Sequence, residues 1–155
     1  MLLTVAVLAG CYKTIPPVLA PERPVLEVAA SFDATWTAVI DLFAEQHIGI
    51  QLLDKPSGLI VAVPFEVPPD SAVRWASCGG FKRGIEPEVI FLATHAEYNI
   101  RVRAPAPGST IRVTARWTTR NPDDSGRPKE AVCETTNEWE SGFESRVRAV
   151  AERAL

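Results

Sequence analysis

Apolar residues recur along the chain in two periods, and the period changes where turn residues intervene. Trp36, Val39, Ile40 and Phe43 fall at i, i+3, i+4 and i+7, the spacing of one helix face. Ser31 and Asp33 precede them and suit a helix cap, and Gly49 is placed to end the helix. Before this helix, residues 25–30 read as a short strand. After it, Ile50 to Asp54 and Leu59 to Phe65 read as two strands joined by Lys55-Pro-Ser-Gly58, where proline presets φ and glycine tolerates a positive φ. Leu59, Val61, Val63 and Phe65 share one face of the second strand by alternation. Residues 67–88 show neither period and are expected to be irregular.

The clearest hairpin pairs Tyr98 to Ala104 with Thr110 to Arg120 around Pro105-Ala-Pro-Gly108. Ile100 and Val102 alternate with Arg101 and Arg103, while Ile111, Val113, Ala115 and Trp117 alternate with Arg112, Thr114, Arg116 and Thr118. A polar loop is expected over residues 121–129. The last helix starts near Asn137 and Glu140, a capping pair at N-cap and N3, and would bury Trp139, Phe143, Val147 and Val150. Its early acids (Glu138, Glu140, Glu144) and late bases (Arg146, Arg148, Arg153) suit the helix dipole. The order β-α-β-β, further strands, then α predicts an α+β domain, an antiparallel sheet with two helices packed on one face. No internal repeat at a fixed period is visible.

Composition narrows the field. With 155 residues, 46% hydrophobic and 23% charged, the chain suits one domain with a core of its own. Sixteen basic against nineteen acidic side chains leave −3, without the basic excess of a nucleic-acid binder. The longest apolar stretch, Leu2 to Cys11, is half of the ~20 residues that a spanning helix needs.

That stretch ends in Leu8-Ala9-Gly10-Cys11, which resembles the lipobox of a bacterial lipoprotein signal. The resemblance implies a signal peptide over residues 1–10, removed in the mature protein, and a covalent diacylglycerol on Cys11. Secretory n-regions carry Lys or Arg, and here only the α-amino group is positive; a start codon assigned a few residues late accounts for that. Residues 11–24 contain Pro16, Pro17, Pro21 and Pro24, which prevent a regular helix and favour extended backbone. They read as a semi-rigid tether from the lipidated cysteine to a single domain over 25–155. Tyr12 rather than Asp follows the cysteine, which by the same resemblance implies sorting to the outer membrane, on its periplasmic face. Two or three acyl chains give stable anchoring where one would be marginal.

Lipidation of Cys11 would leave Cys78 and Cys133, which an oxidising periplasm favours pairing as a disulfide; two separate buried thiols are the alternative. No CxxC pair is present, so a thiol-based zinc or redox site is not expected. His47 and His95 are the two histidines, each read as solvated or hydrogen-bonded. No HExxH, GxSxG, Walker loop or dinucleotide fingerprint appears, and Ser77-Cys78-Gly-Gly lacks an arguable catalytic base. Neither an enzyme nor a metal or cofactor, apart from the lipid on Cys11, is expected.

The segments Ser31-Phe-Asp-Ala-Thr-Trp36, Ile48-Gly-Ile50 and Asp54-Lys-Pro-Ser-Gly58-Leu-Ile60 resemble small proteobacterial lipoproteins. BamC (NlpB)-like lipoproteins of the outer-membrane assembly machinery carry similar domains. Trp75-Ala-Ser-Cys78-Gly and Cys133-Glu-Thr-Thr-Asn-Glu138-Trp-Glu140 resemble the paired-cysteine members of that group. The resemblance implies a helix-grip-like fold and an accessory, binding role in the cell envelope. Alternation places Arg101, Arg103, Arg112 and Arg116 on one side of the hairpin. They form either a solvated sheet surface or a site for a protein or other acidic envelope partner, since guanidinium forks suit carboxylate and phosphate. A small ligand held in an apolar cleft under the C-terminal helix is the second functional expectation.

Overall fold

The computed structural model describes residues 13–83, 86–88, 93–122 and 127–153. The expected signal peptide, residues 1–10, and Cys11 lie outside the described residues. The chain is α+β. In order it forms β1 (Lys13–Ile15), β2 (Leu26–Val28), α1 (Phe32–Glu45), β3 (Ile50–Asp54), β4 (Leu59–Ala62), β5 (Phe65–Val67) and α2 (Pro69–Trp75). There follow β6 (Ala76–Ser77), β7 (Gly80–Arg83), β8 (Glu86–Glu88), β9 (Ala93–Arg103), β10 (Ser109–Pro122), β11 (Pro128–Thr135) and α3 (Glu138–Glu152).

Eight strands make one antiparallel sheet in the order β3-β4-β9-β10-β11-β6, with β2 beside β10 and β5 beside β9. A smaller sheet runs β1-β7-β8. The long β9–β10 hairpin is the centre of the main sheet, as its alternation predicts. Ala96, Tyr98, Ile100 and Val102 of β9 and Ile111, Val113 and Trp117 of β10 are buried on one side. Helices α1 and α3 close that side. Phe43 of α1 meets Phe143 of α3 with ring centroids 5.4 Å apart, and Trp139 of α3 stacks on Tyr98 of β9 at 3.5 Å. On the same side, Thr35 of α1 shares a buried 2.7 Å hydrogen bond with Ser109 of β10.

Helix α1 begins as its sequence suggests: the Ser31 hydroxyl accepts from the Ala34 N–H at 3.2 Å. Its end differs. His47 takes the left-handed conformation (φ 57°), donating its N–H to Ala44, while Ile48 donates to Phe43. Two such bonds close a Schellman turn, so the helix ends at Glu45, four residues before Gly49.

Three further expectations are corrected. The segment 59–65 is two short strands, because Pro64 has no N–H for a ladder and the chain changes parity there. Ile60 and Ala62, then Val67, face the core; Val63 is exposed. Residues 67–88 hold α2 and strands instead of irregular chain, with Pro69 in the first turn of α2, where its missing N–H is harmless. Asn137 stands at the N-cap of α3 but is left-handed (φ 67°) and makes no side-chain cap, so the expected capping box does not form. Glu140 accepts instead from the Thr135 hydroxyl at 2.5 Å.

Candidate functional site

Arg101 and Arg112 face each other on one rung of the β9–β10 ladder, and Arg103 pairs across from Thr110, Arg116 from Glu97. All four arginines therefore lie on the side of the hairpin opposite the helices, the side that alternation assigns them. Arg101, Arg103 and Arg116 are exposed, and Arg112 is half-buried. The reason is a bond: an Arg112 Nη1–H donates to the backbone carbonyl of Arg23 at 2.6 Å. Arg112 thus has a structural task, and the other three carry the accessible charge. Beside Arg116, a cleft of about 330 Å³ is lined by His95, Glu97, Thr118, Arg120 and Glu130. It mixes both signs of charge, and its rim continues the arginine surface.

Below the sheet the picture is different. Strand β10 pairs with β2 over residues 109–111 and with β11 over 117–122. Between those partners its backbone edge at Val113 is completed by side chains. Glu144 of α3 accepts from the Val113 N–H at 2.7 Å, and Arg23 donates to the Val113 carbonyl at 2.8 Å. The two side chains also form a 2.5 Å ion pair. Arg23 donates further to Asn137 at 3.1 Å and Ser141 at 3.4 Å. Backbone groups that would be orphaned inside the fold are satisfied this way.

The sequence places Glu140 in a capping pair and in the helix dipole and Glu144 in the dipole alone, and it gives no sign of Arg23. A signal for the acids is present nonetheless. Glu140, Glu144, Val147 and Ala151 follow 4-3-4 spacing, and all four are buried, so two acids occupy the packed stripe of α3.

Tyr98, Trp117 and Glu140 bring a second polar group into the core. The Tyr98 hydroxyl, the Trp117 indole N–H and one Glu140 oxygen are buried without a hydrogen-bond partner among the described residues. Burial, reinforced by the Glu140 carboxylate, pushes the Tyr98 phenol well above its ordinary pKa. The phenol therefore stays protonated throughout the physiological range and cannot act as a base there.

Cys78 and Cys133 form a disulfide, with Cα atoms 4.1 Å apart. It fastens the end of β6 to β11, whose register pairs Ser77 with Glu134. Cys78 is thereby withdrawn from thiol chemistry, and the Ser77 hydroxyl accepts a bond from the Val18 N–H at 2.8 Å. Among the described residues no group of three or more His, Cys, Asp or Glu is placed to hold a metal ion. Nor is any of their helices long and apolar enough to cross a membrane.

Space under the C-terminal helix is taken by aromatic rings. Trp139 stacks on both Tyr98 and Phe143, and Tyr98 meets Trp117 edge-on at 5.8 Å. No protein-family model matches the chain, and no curated protein does.

Proposed function

We propose that this chain is a lipid-anchored binding protein of the bacterial cell envelope, held at the periplasmic face of the outer membrane through Cys11. It acts by association rather than catalysis, as an accessory component linked to outer-membrane assembly. A helix-grip architecture of the BamC kind is the finer fold reading that goes with this role. The observation that carries the proposal is the outer face of the central hairpin. Arg101, Arg103 and Arg116 stand exposed there on rigid strands, and their charge suits an acidic protein surface or a phosphate-bearing envelope component. The Cys78–Cys133 disulfide supports an oxidising compartment. The aromatic filling beneath α3 favours this reading over a small ligand in that cleft.

The test changes charge and leaves shape. Arg101→Gln/Arg116→Gln is expected to alter stability by no more than ~0.5 kcal/mol, because both residues are exposed. Recovery of partners crosslinked in intact envelopes, at matched expression, should fall, with affinity weakened about ten- to a hundred-fold. Added salt should weaken the wild-type association in the same direction. Equal recovery from wild type and variant would refute the role of this face.

A further inference from the structure

Residues 13–24 lie along the folded body and are fixed to it at four places. Strand β1 pairs with β7, Ile15 opposite Gly80. The Val18 N–H donates to Ser77 Oγ at 2.8 Å. Asn137 donates to the Pro21 carbonyl at 2.8 Å, and Arg23 is locked to Val113 and Glu144. Gly79 makes room for the crossing: with φ +70°, a Cβ there would stand 2.3 Å from the Ile15 carbonyl oxygen. The thirteen residue-to-residue steps from Cys11 to Pro24 would reach about 40 Å in free polyproline form, at ~3.1 Å each. The docked strap leaves only the two steps from Cys11 to Lys13, about 7 Å at most.

Within this strap Val18 is 72% and Leu19 76% exposed, the highest values among the large exposed hydrophobics of the described residues. They follow Pro16 and Pro17, also exposed. Neither side chain is free to swing inward by loosening the chain, because the backbone is held at Val18 on one side and at Pro21 on the other. Val18 is seven residues from Cys11, no more than ~25 Å along an extended chain, so a lipid on Cys11 keeps these side chains within reach of the bilayer interface.

We infer that Pro16, Pro17, Val18 and Leu19 are a membrane-contact patch that seats this edge of the domain on the lipid surface; the inference rests on the lipid anchoring proposed above. Apolar side chains at that depth gain by entering the headgroup boundary, as amphipathic interfacial segments do. The domain then stands in one orientation on the bilayer instead of swinging on a leash. Its hairpin bend, at Pro105 to Gly108, lies at the opposite end of β10 from the Trp117–Cys133 rung beside the disulfide.

The experiment uses the full lipidated chain in vesicles of phosphatidylethanolamine and phosphatidylglycerol carrying a lipid-borne quencher. One fluorophore is attached at Leu19→Cys or, separately, at Ala104→Cys beside the hairpin bend. Loss of most of the emission at Leu19 and of little at Ala104 is expected. Equal quenching at the two sites, with Cys11 shown by mass to be lipidated, overturns the patch while the anchoring stands. An unmodified Cys11 overturns both. A separate readout decides the strap: in soluble Cys11→Ser protein the Val18 amide should exchange slowly, and exchange at the rate of an unstructured chain would overturn the docked geometry.

Discussion

Arg23→Met is expected to lower the stability of the folded domain by about 3 kcal/mol, the lower end of the range for breaking a buried ion pair by removing one partner. Glu144 is 4% exposed at its side chain and Arg23 15%, so water reaches the pair from the arginine side only. Without the guanidinium, the Glu144 carboxylate remains enclosed among α3 and β10 with the Val113 N–H as its other partner. The Val113 carbonyl and Asn137 lose a donor at the same time. Glu144→Gln should cost less, because its amide oxygen still accepts from Val113 and the Arg23 guanidinium, the more exposed partner, keeps Val113, Asn137 and Ser141 as acceptors. A urea titration reads both as shifts of the midpoint at constant slope. A shift of less than ~0.5 kcal/mol for Arg23→Met, the size of an ordinary surface change, would contradict the network.

Removal of the disulfide by Cys78→Ala/Cys133→Ala should be of similar size. The bridge closes a loop with a sequence separation of 55, and the chain-entropy relation puts its contribution at up to ~4 kcal/mol. Locally it secures β6, only two residues long, to β11, and with it α2, which abuts β6. The variant is therefore expected to show a lower urea midpoint and faster amide exchange over residues 69–77, with β9 and β10 the last to open. Reductant added to the wild-type protein should reproduce the shift. An unchanged midpoint in both experiments would mean that the native ladder alone holds this corner.

Legibility from sequence followed the strength of the local signal. Helix α1 carries its own cap and a full apolar face, and the β9–β10 hairpin alternates over residues 100–103 and 111–118, so both elements and the sidedness of the four arginines are legible there, while the start of β9 at Ala93 and the end of β10 at Pro122 are not. Helix α2 could not: seven residues give too few turns for a period, and its start signal is a proline. Strand β11 hides for another reason. Lys129, Glu130, Val132 and Glu134 are exposed or half-buried and only Cys133 is fully buried, so the strand is defined by its partner β10 and has little alternation of its own.

The candidate surface divides in the same way. Arg101, Arg103 and Arg116 were placed by the two-residue period. The bond that engages Arg112 depends on Arg23, 89 residues away, and no local pattern encodes such a meeting. The left-handed turn at His47 in place of Gly49, and the change of parity at Pro64, are likewise settled by what the neighbouring strands must bury.

Anchoring through Cys11 is the claim on which both the envelope role and the membrane-seated orientation depend, and the mass of the native protein tests it most directly. The expected product is a mature chain that begins at Cys11, carries diacylglycerol on the thiol with or without a third acyl group on the amine, and moves to the soluble periplasmic fraction when Cys11→Ser is introduced. A chain recovered intact from Met1 with an unmodified Cys11 thiol would contradict it.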